Sequence, residues 1–154
     1  MSKAPRATIT IGWREWVSLP QLGLDRITAK IDTGARTSAL HASNVKVIRH
    51  LGDEFVEFIV PGAGHEQLCT APLLDTRSIK NTGGKTEMRF IIQTSMMLAG
   101  RSWPIELSLA DRGAMSFDLI LGRTAIRRRN LLINPGRSFL ASDAIASGDQ
   151  AKAS

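Results

Sequence analysis

Between Trp103 and Leu109 the chain alternates one for one, with Trp103, Ile105, Leu107 and Leu109 apolar against Pro104, Glu106 and Ser108. A period of two sends successive side chains to opposite faces of a sheet, so this segment predicts a strand with one buried face. Pro104 lacks an N–H and belongs near a strand start or edge. Upstream, Thr86–Leu98 reads as a second extended segment with Met88, Phe90 and Ile92 on one face, and Ala99-Gly100-Arg101 supplies the turn of a long hairpin. Further strands are predicted over Thr8–Ile11, Glu15–Leu19, Ile27–Ile31, Phe55–Val60 and Leu68–Leu74, separated by turn formers such as Pro61-Gly62-Ala63-Gly64. Phe117–Gly122 reads as a buried strand. Leu131–Ile133 and Ser138–Leu140 read as extended, with Asn134-Pro135-Gly136 turning the chain between them. Helical character is confined to about Arg123–Arg129. The pattern therefore predicts a mainly β protein whose many short strands close or fold over one core.

Length and composition agree with one domain. The chain has 154 residues, 43% of them hydrophobic, which suits a single core and leaves little room for a second. Residues 1–8 are expected to be flexible, 9–140 to form the domain, and 141–154, rich in Ala, Ser, Asp and Gly, to be a disordered tail. No run approaches a membrane helix and Met1–Arg6 lacks the apolar segment of a signal peptide, so a soluble, cytoplasmic protein is expected. Cys69 is the only cysteine, which rules out an internal disulfide and predicts a buried, unreactive thiol. The net charge of +6 raises the question of nucleic acid. The dense cluster, Arg123 with Arg127-Arg128-Arg129, has no interleaved aromatic residues for base stacking, which argues against that partner.

Chemistry is concentrated at Ala29-Lys30-Ile31-Asp32-Thr33-Gly34-Ala35. A carboxylate follows an apolar strand and precedes a glycine that permits a tight reversal, while Thr33 and Gly34 offer hydroxyl and amide donors to orient it. Some ninety residues later, Phe117-Asp118-Leu119-Ile120-Leu121-Gly122-Arg123 is an apolar strand running into Gly-Arg and a helix. Asp-Thr-Gly-Ala after a strand, a glycine-tipped hairpin, a strand pair, and Ile120-Leu121-Gly122-Arg123 before a helix and final strand together resemble the retropepsins, from about Ile11 to Leu140. The resemblance implies a closed acid-protease β-barrel with one short C-terminal helix. More narrowly, Ile31–Ala42 resembles a bacterial family labelled ATP-dependent zinc proteases.

Neither half of that label is supported by the residues. A zincin needs two histidines four apart on a helix with a glutamate beside the first, and His41, His50 and His65 are not so spaced. Gly84-Lys85-Thr86 matches the end of a phosphate loop, but the first glycine of that motif would fall at Ile79. No metal or cofactor is expected.

Aspartic peptidases work with two carboxylates, and this chain has one Asp-Thr-Gly. Asp111 and Asp118 lack the Thr-Gly continuation and read as loop or strand-edge acids. A twofold homodimer solves the problem, because Asp32 of each copy meets the other at the axis. By the resemblance, Asp32, Thr33 and Gly34 are the catalytic motif, with Thr33 bracing the pair across the axis. Substrate peptide or protein would contact Ala35, Arg36 and a flap over Thr76–Phe90 whose apex is Asn81-Thr82-Gly83-Gly84-Lys85. Arg36 either favours acidic substrates or forms a salt bridge outside the cleft. Asn44–Asp75 exceeds the corresponding stretch of compact viral retropepsins and suggests an added hairpin. The resemblance also suggests a functional association with ATP-grasp ligases. The competing readings are a noncatalytic dimeric peptide-binding module of the same fold and a basic adaptor for nucleic acid or an acidic partner.

Overall fold

The computed structural model describes residues 7–61, 65–80, 83–111 and 117–141. They form eleven strands: β1 Ile9–Gly12, β2 Arg14–Leu19, β3 Leu24–Ile31, β4 Ser38–His41, β5 Ser43–His50, β6 Asp53–Pro61, β7 Glu66–Lys80, β8 Thr86–Leu98, β9 Arg101–Ala110, β10 Leu119–Leu121 and β11 Leu131–Asn134. A 3-10 turn, Pro20–Leu22, follows β2, and one α-helix, α1 Arg123–Ile126, follows β10.

Six strands close a barrel in the order β2-β3-β10-β4-β9-β8, sealed by a β2–β8 pairing at Ser18 and Met97. Closure removes two sheet edges and gives the apolar faces a common interior. Leu19, Leu40, Ile92, Met96, Leu107, Leu119 and Leu121 are fully enclosed there. The sheet then continues outward from β8 through β7, β6 and β5. A separate parallel ribbon pairs β1 with β11.

The β8–β9 hairpin forms as its pattern predicts, with Leu98 opposite Arg101. Ala99 and Gly100 both have positive φ, 56° and 72°, the two left-handed positions that a type I′ turn requires. Trp103, Ile105, Leu107 and Leu109 are buried, and exposed Pro104 lies beyond β4, which covers only Leu107–Ala110. Ser108 breaks the alternation because its hydroxyl donates to the Ser38 carbonyl at 3.0 Å and is buried with it. Of the three residues expected on one face of β8, Ile92 is buried and Phe90 half-buried but Met88 is exposed, whereas Arg89 beside it is buried.

Three other segments differ from expectation. The predicted Leu68–Leu74 strand and the first flap strand are one continuous strand, β7, whose first half pairs with β6 and second half with β8, with a register shift between Leu73 and Asp75. A bulge of this kind lets one strand bend between two partners. The expected added hairpin is present as β5–β6, turning at Leu51-Gly52 and pairing onto β7. The helix is shorter than Arg123–Arg129, because Arg127 is extended and Arg128 takes φ of 65°. Ser138–Leu140 forms no strand. Phe139, at φ of 55°, donates its N–H to the Arg14 carbonyl and stacks on Trp16 at 5.5 Å.

Glu15 ties this final segment to the barrel. Its side chain is fully buried, and Oε2 accepts the backbone N–H groups of Gly12 at 2.6 Å, Leu140 at 2.8 Å and Ala141 at 3.4 Å. A carboxylate is kept inside by supplying the acceptors that three backbone donors need. Cys69 is buried as expected, and burial pushes its thiol up to about 11.

Candidate active site

Asp32 stands directly after β3, at the mouth of the barrel. Parallel pairing of β3 with β10 puts Ile31 beside Leu121, so the two apolar strands deliver their following residues to the same place. The Asp32 N–H donates to the Leu121 carbonyl at 2.8 Å, and the Asp32 carbonyl accepts from Ala35 at 3.1 Å, closing a tight turn. Within that turn the Gly34 N–H donates to Asp32 Oδ1 at 3.1 Å, which fixes one carboxylate oxygen. Asp32 is half-buried, while Thr33 and Gly34 are exposed on the single chain.

The second motif braces the first. Gly122 packs so closely against residues 35–37 that a Cβ there would lie 2.7 Å from the Thr37 carbonyl oxygen and 2.9 Å from that of Ala35. The Gly122 N–H donates to the Ser38 hydroxyl at 3.0 Å. From α1, the Arg123 N–H reaches the Ala35 carbonyl at 2.8 Å and its guanidinium the Gly34 carbonyl at 3.1 Å. The Thr124 hydroxyl donates to the Arg36 carbonyl at 2.7 Å. Every carbonyl of Gly34, Ala35 and Arg36 is thus held by the start of α1. Trp103 anchors α1 in turn, its indole N–H donating to the Ala125 carbonyl at 2.8 Å.

Asp118 is occupied elsewhere: Oδ2 accepts from the N–H and hydroxyl of Thr28 at 3.3 and 3.2 Å. It therefore serves the β3–β10 junction and is not directed at Asp32. His41 is buried with Nδ1 3.2 Å from the Ala110 carbonyl, and His50 and His65 are exposed. Among the described residues no three of His, Cys, Asp and Glu gather as metal ligands would.

β7 and β8 form the expected hairpin, with Lys80 opposite Thr86 at its tip. Gly83, Gly84 and Lys85 are exposed there, and Gly84 takes φ of 81°. Asn81 and Thr82 lie outside the described residues. One face of the hairpin carries the cross-strand pairs Arg77 with Arg89 and Ile79 with Glu87. Arg89 lies buried on Glu87, its Nε 3.0 Å from Oε1. Arg77 bridges Asp75 and, across to β9, Glu106, each at 2.8 Å. Its guanidinium donates to Asp75, which with the Thr76 N–H holds that carboxyl below the usual range; both acids push Arg77 upward.

Between the hairpin base, β9 and α1 lies a hollow of about 380 Å³, lined from the loop side by Arg36, Thr37 and Ser38. Arg77, Ile91 and Gln93 come from the hairpin strands, Pro104–Glu106 and Ser108 from β9, and Thr124, Ala125 and Arg127 from the helix and its end. Of these, the sequence singled out Arg36 as a substrate contact, Arg127 only as part of the basic cluster, and Arg77 only as a member of the expected flap. Nothing in the sequence marks Arg77, Glu106 and Arg127 as neighbours, because they sit on different elements.

Residues 10–144 match the RimB-like family, described as retropepsin-like aspartic endopeptidase RimB. The chain belongs to that family. Curated relatives carry a different name: a probable alpha-L-glutamate ligase of Desulfotalea psychrophila is 42% identical over 81% of this chain and 28% of its own length. Another of Parasynechococcus marenigrum is 38% identical over 88% of this chain and 30% of its own length. The chain thus spans less than a third of the curated relatives it matches, which are named as ligases and not as zinc proteases. In three dimensions it resembles a Legionella pneumophila protein of unknown function, with a TM-score of 0.76, 25% identity, and coverage of 88% of this chain and 99% of that one.

Proposed function

We propose that the chain is an aspartic endopeptidase that acts as a homodimer, with Asp32 of each copy forming the catalytic pair. The observation that carries this reading is the construction around Asp32: one carboxylate oxygen held by Gly34, a loop pinned by Gly122–Thr124, and Thr33 and Gly34 left exposed. An isolated surface Asp would not need this bracing. One Asp-Thr-Gly per chain supplies half a site, and a twofold axis through the exposed loop supplies the other half.

Two carboxylates at such range hold one proton between them. The ionised member takes a proton from water as the oxygen attacks the peptide carbonyl. The protonated member donates to the carbonyl oxygen, giving a tetrahedral diol. Collapse of the diol breaks the C–N bond, with a proton passing to the leaving nitrogen. Thr33 steadies the pair across the axis, and the β7–β8 hairpin covers the bound peptide.

The ligase name belongs to relatives more than three times the length of the matching region, so it does not assign ligation to this part of them. A ligase that adds glutamate and a peptidase that removes residues act on the same class of chain. Glutamate-containing peptides are therefore the first substrates to try, and an ATP-grasp ligase is the first partner.

The test compares wild type with Asp32→Ala on a diverse peptide library from acidic to neutral pH, with and without chelator, read by mass spectrometry. Cleavage that survives chelation and disappears in the variant is expected. Cleavage abolished by chelator would overturn the aspartic mechanism, and a confirmed dimer that cleaves nothing would favour the peptide-binding module.

A further inference from the structure

We propose that the outer face of the β2–β3 strand pair, with the segment after β11 packed on it, binds single-stranded nucleic acid, taking bases on its aromatic rings and phosphates on Arg14, Arg26, Lys30 and Arg137. The inference goes beyond the peptidase reading and uses no residue of the Asp32 loop. Alternation in β2 and β3 turns Glu15, Val17, Ile27 and Ala29 inward and leaves Arg14, Trp16, Arg26, Thr28 and Lys30 on the outside. Arg14 stands opposite Lys30, and Trp16 opposite Thr28. Arg26, Lys30 and Arg137 are exposed, and none of the four cations has an ion-pair partner among the described residues. The acids beside them are Asp25, near the start of β3, and Asp118, which already accepts from Thr28.

Cations alone would make a solvated surface; the rings make this one a platform. The chain has three tryptophans and five phenylalanines, and two of each meet here. Phe139 stacks on Trp16 at 5.5 Å with 19° between the planes, and Trp13 meets Phe117 edge-on at 5.8 Å. The Arg14 guanidinium links the two pairs, 4.8 Å from Trp13 and 5.0 Å from Phe139, and its Nε donates to the Ser138 hydroxyl at 3.1 Å. Arg26 covers Trp16 at 4.5 Å. All four rings are half-buried. Phe139 is held among them at φ of 55°, a left-handed backbone that a bulky residue adopts only under constraint.

The run Arg127–Arg129 lacks aromatic neighbours along the chain, but Trp13-Arg14-Glu15-Trp16 and Arg137-Ser138-Phe139 interleave rings with cations, and the fold sets one upon the other. Unstacked bases need this combination, because each offers a π face to a ring or guanidinium and carries a phosphate for a cation. Arg26 is exposed, so its guanidinium can yield the Trp16 ring to a base and take the adjoining phosphate, exchanging a surface cation–π contact for the stronger base–aromatic stack. An acidic protein would use the cations without the rings, and a duplex keeps its base faces stacked inside.

Short labelled pyrimidine strands, RNA and DNA, are titrated by fluorescence anisotropy over a range of salt. R26Q K30Q is expected to weaken binding and to make log affinity against log salt shallower by about 1.4, the loss of two phosphate contacts to a single strand. R49Q R128Q, which removes two exposed cations from other elements, should bind within about twofold of wild type with the slope unchanged. W16L should lose about tenfold, as removal of a stacked base gives, and W16F should stay within about threefold. Trp16 also holds Phe139, so melting is followed for each variant, and the exposed R26Q K30Q pair carries the test alone if W16L unfolds. Binding of either strand with this pattern supports the platform, and a preference for RNA would add recognition of the 2′-hydroxyl. No binding by wild type, a duplex held as tightly as its single strand, equal displacement by base-free polyphosphate, or an equal loss in R49Q R128Q overturns it. Capture by phosphatidylserine vesicles without binding of either strand would give the face to a membrane and overturn it as well.

Discussion

Replacing Gly122 by alanine tests whether the two separated motifs are one structural unit. Gly122 has φ of −80° and ψ of 171°, an extended conformation open to any residue, so backbone strain contributes nothing. The cost is steric. The new Cβ would sit 2.7 Å from the Thr37 oxygen, 2.8 Å from its carbonyl carbon and 2.9 Å from the Ala35 oxygen, all backbone atoms and all well inside the 3.4 Å at which ordinary contact begins. Neither side can yield by rotating a side chain, so residues 35–37 must move relative to α1, against the hydrogen bonds from Gly122, Arg123 and Thr124. Overpacking of this kind costs about 1–3 kcal/mol. For a chain of this size that corresponds to a fall in melting temperature of roughly 2–12 °C. Gly136→Ala is the control, since its Cβ would meet nothing nearer than Asn134 Oδ1 at 3.5 Å and its φ is not left-handed. Calorimetry reads stability, and amide exchange at Gly34 and Ala35 reads whether the loop has loosened. A Gly122→Ala protein that melts within a degree or so of wild type, with unchanged exchange at those amides, would refute the idea that this glycine sets the Asp32 loop.

Glu15→Ala should cost about 3 kcal/mol or more, because it leaves the N–H groups of Gly12, Leu140 and Ala141 without their carboxylate acceptor; urea denaturation measures it, and a loss under 1 kcal/mol would show that water replaces the carboxylate freely. Cys69 keeps its proton up to about pH 11 when folded but loses it near 9 when unfolded, so stability should fall as pH rises through that window, relative to Cys69→Ala, and the two proteins should show no pH-dependent difference below it. The same burial predicts slow alkylation of the native thiol at pH 8 and rapid alkylation once denatured. If the functional unit is a dimer, sedimentation should show association that strengthens with concentration, and specific activity should fall on dilution below the dissociation constant.

Much of the β architecture is legible along the chain because burial on one face imposes a period of two, as in β9, and because turns demand particular residues, as Ala99-Gly100 does. The same reasoning misreads β7, where strand pairing with two different neighbours holds one long strand together across what looks like a break at Asp75. β4 escapes notice: Ser38–His41 is buried on both faces between β9 and β10, so it shows no alternation. The helix stops early because the left-handed backbone at Arg128 overrides the helix propensity of an arginine run.

At the site, sequence alone marks Asp32-Thr33-Gly34 and Ile120-Leu121-Gly122-Arg123, since a carboxylate before a turn glycine and an apolar strand ending in Gly-Arg are local features. That the second motif grips the first is decided by the parallel register of β3 with β10, which no local pattern encodes. The arginine-lined hollow is wholly a product of tertiary structure. Arg36, Arg77 and Arg127 come from a loop, a hairpin and a helix end, and only barrel closure brings their charges to one space.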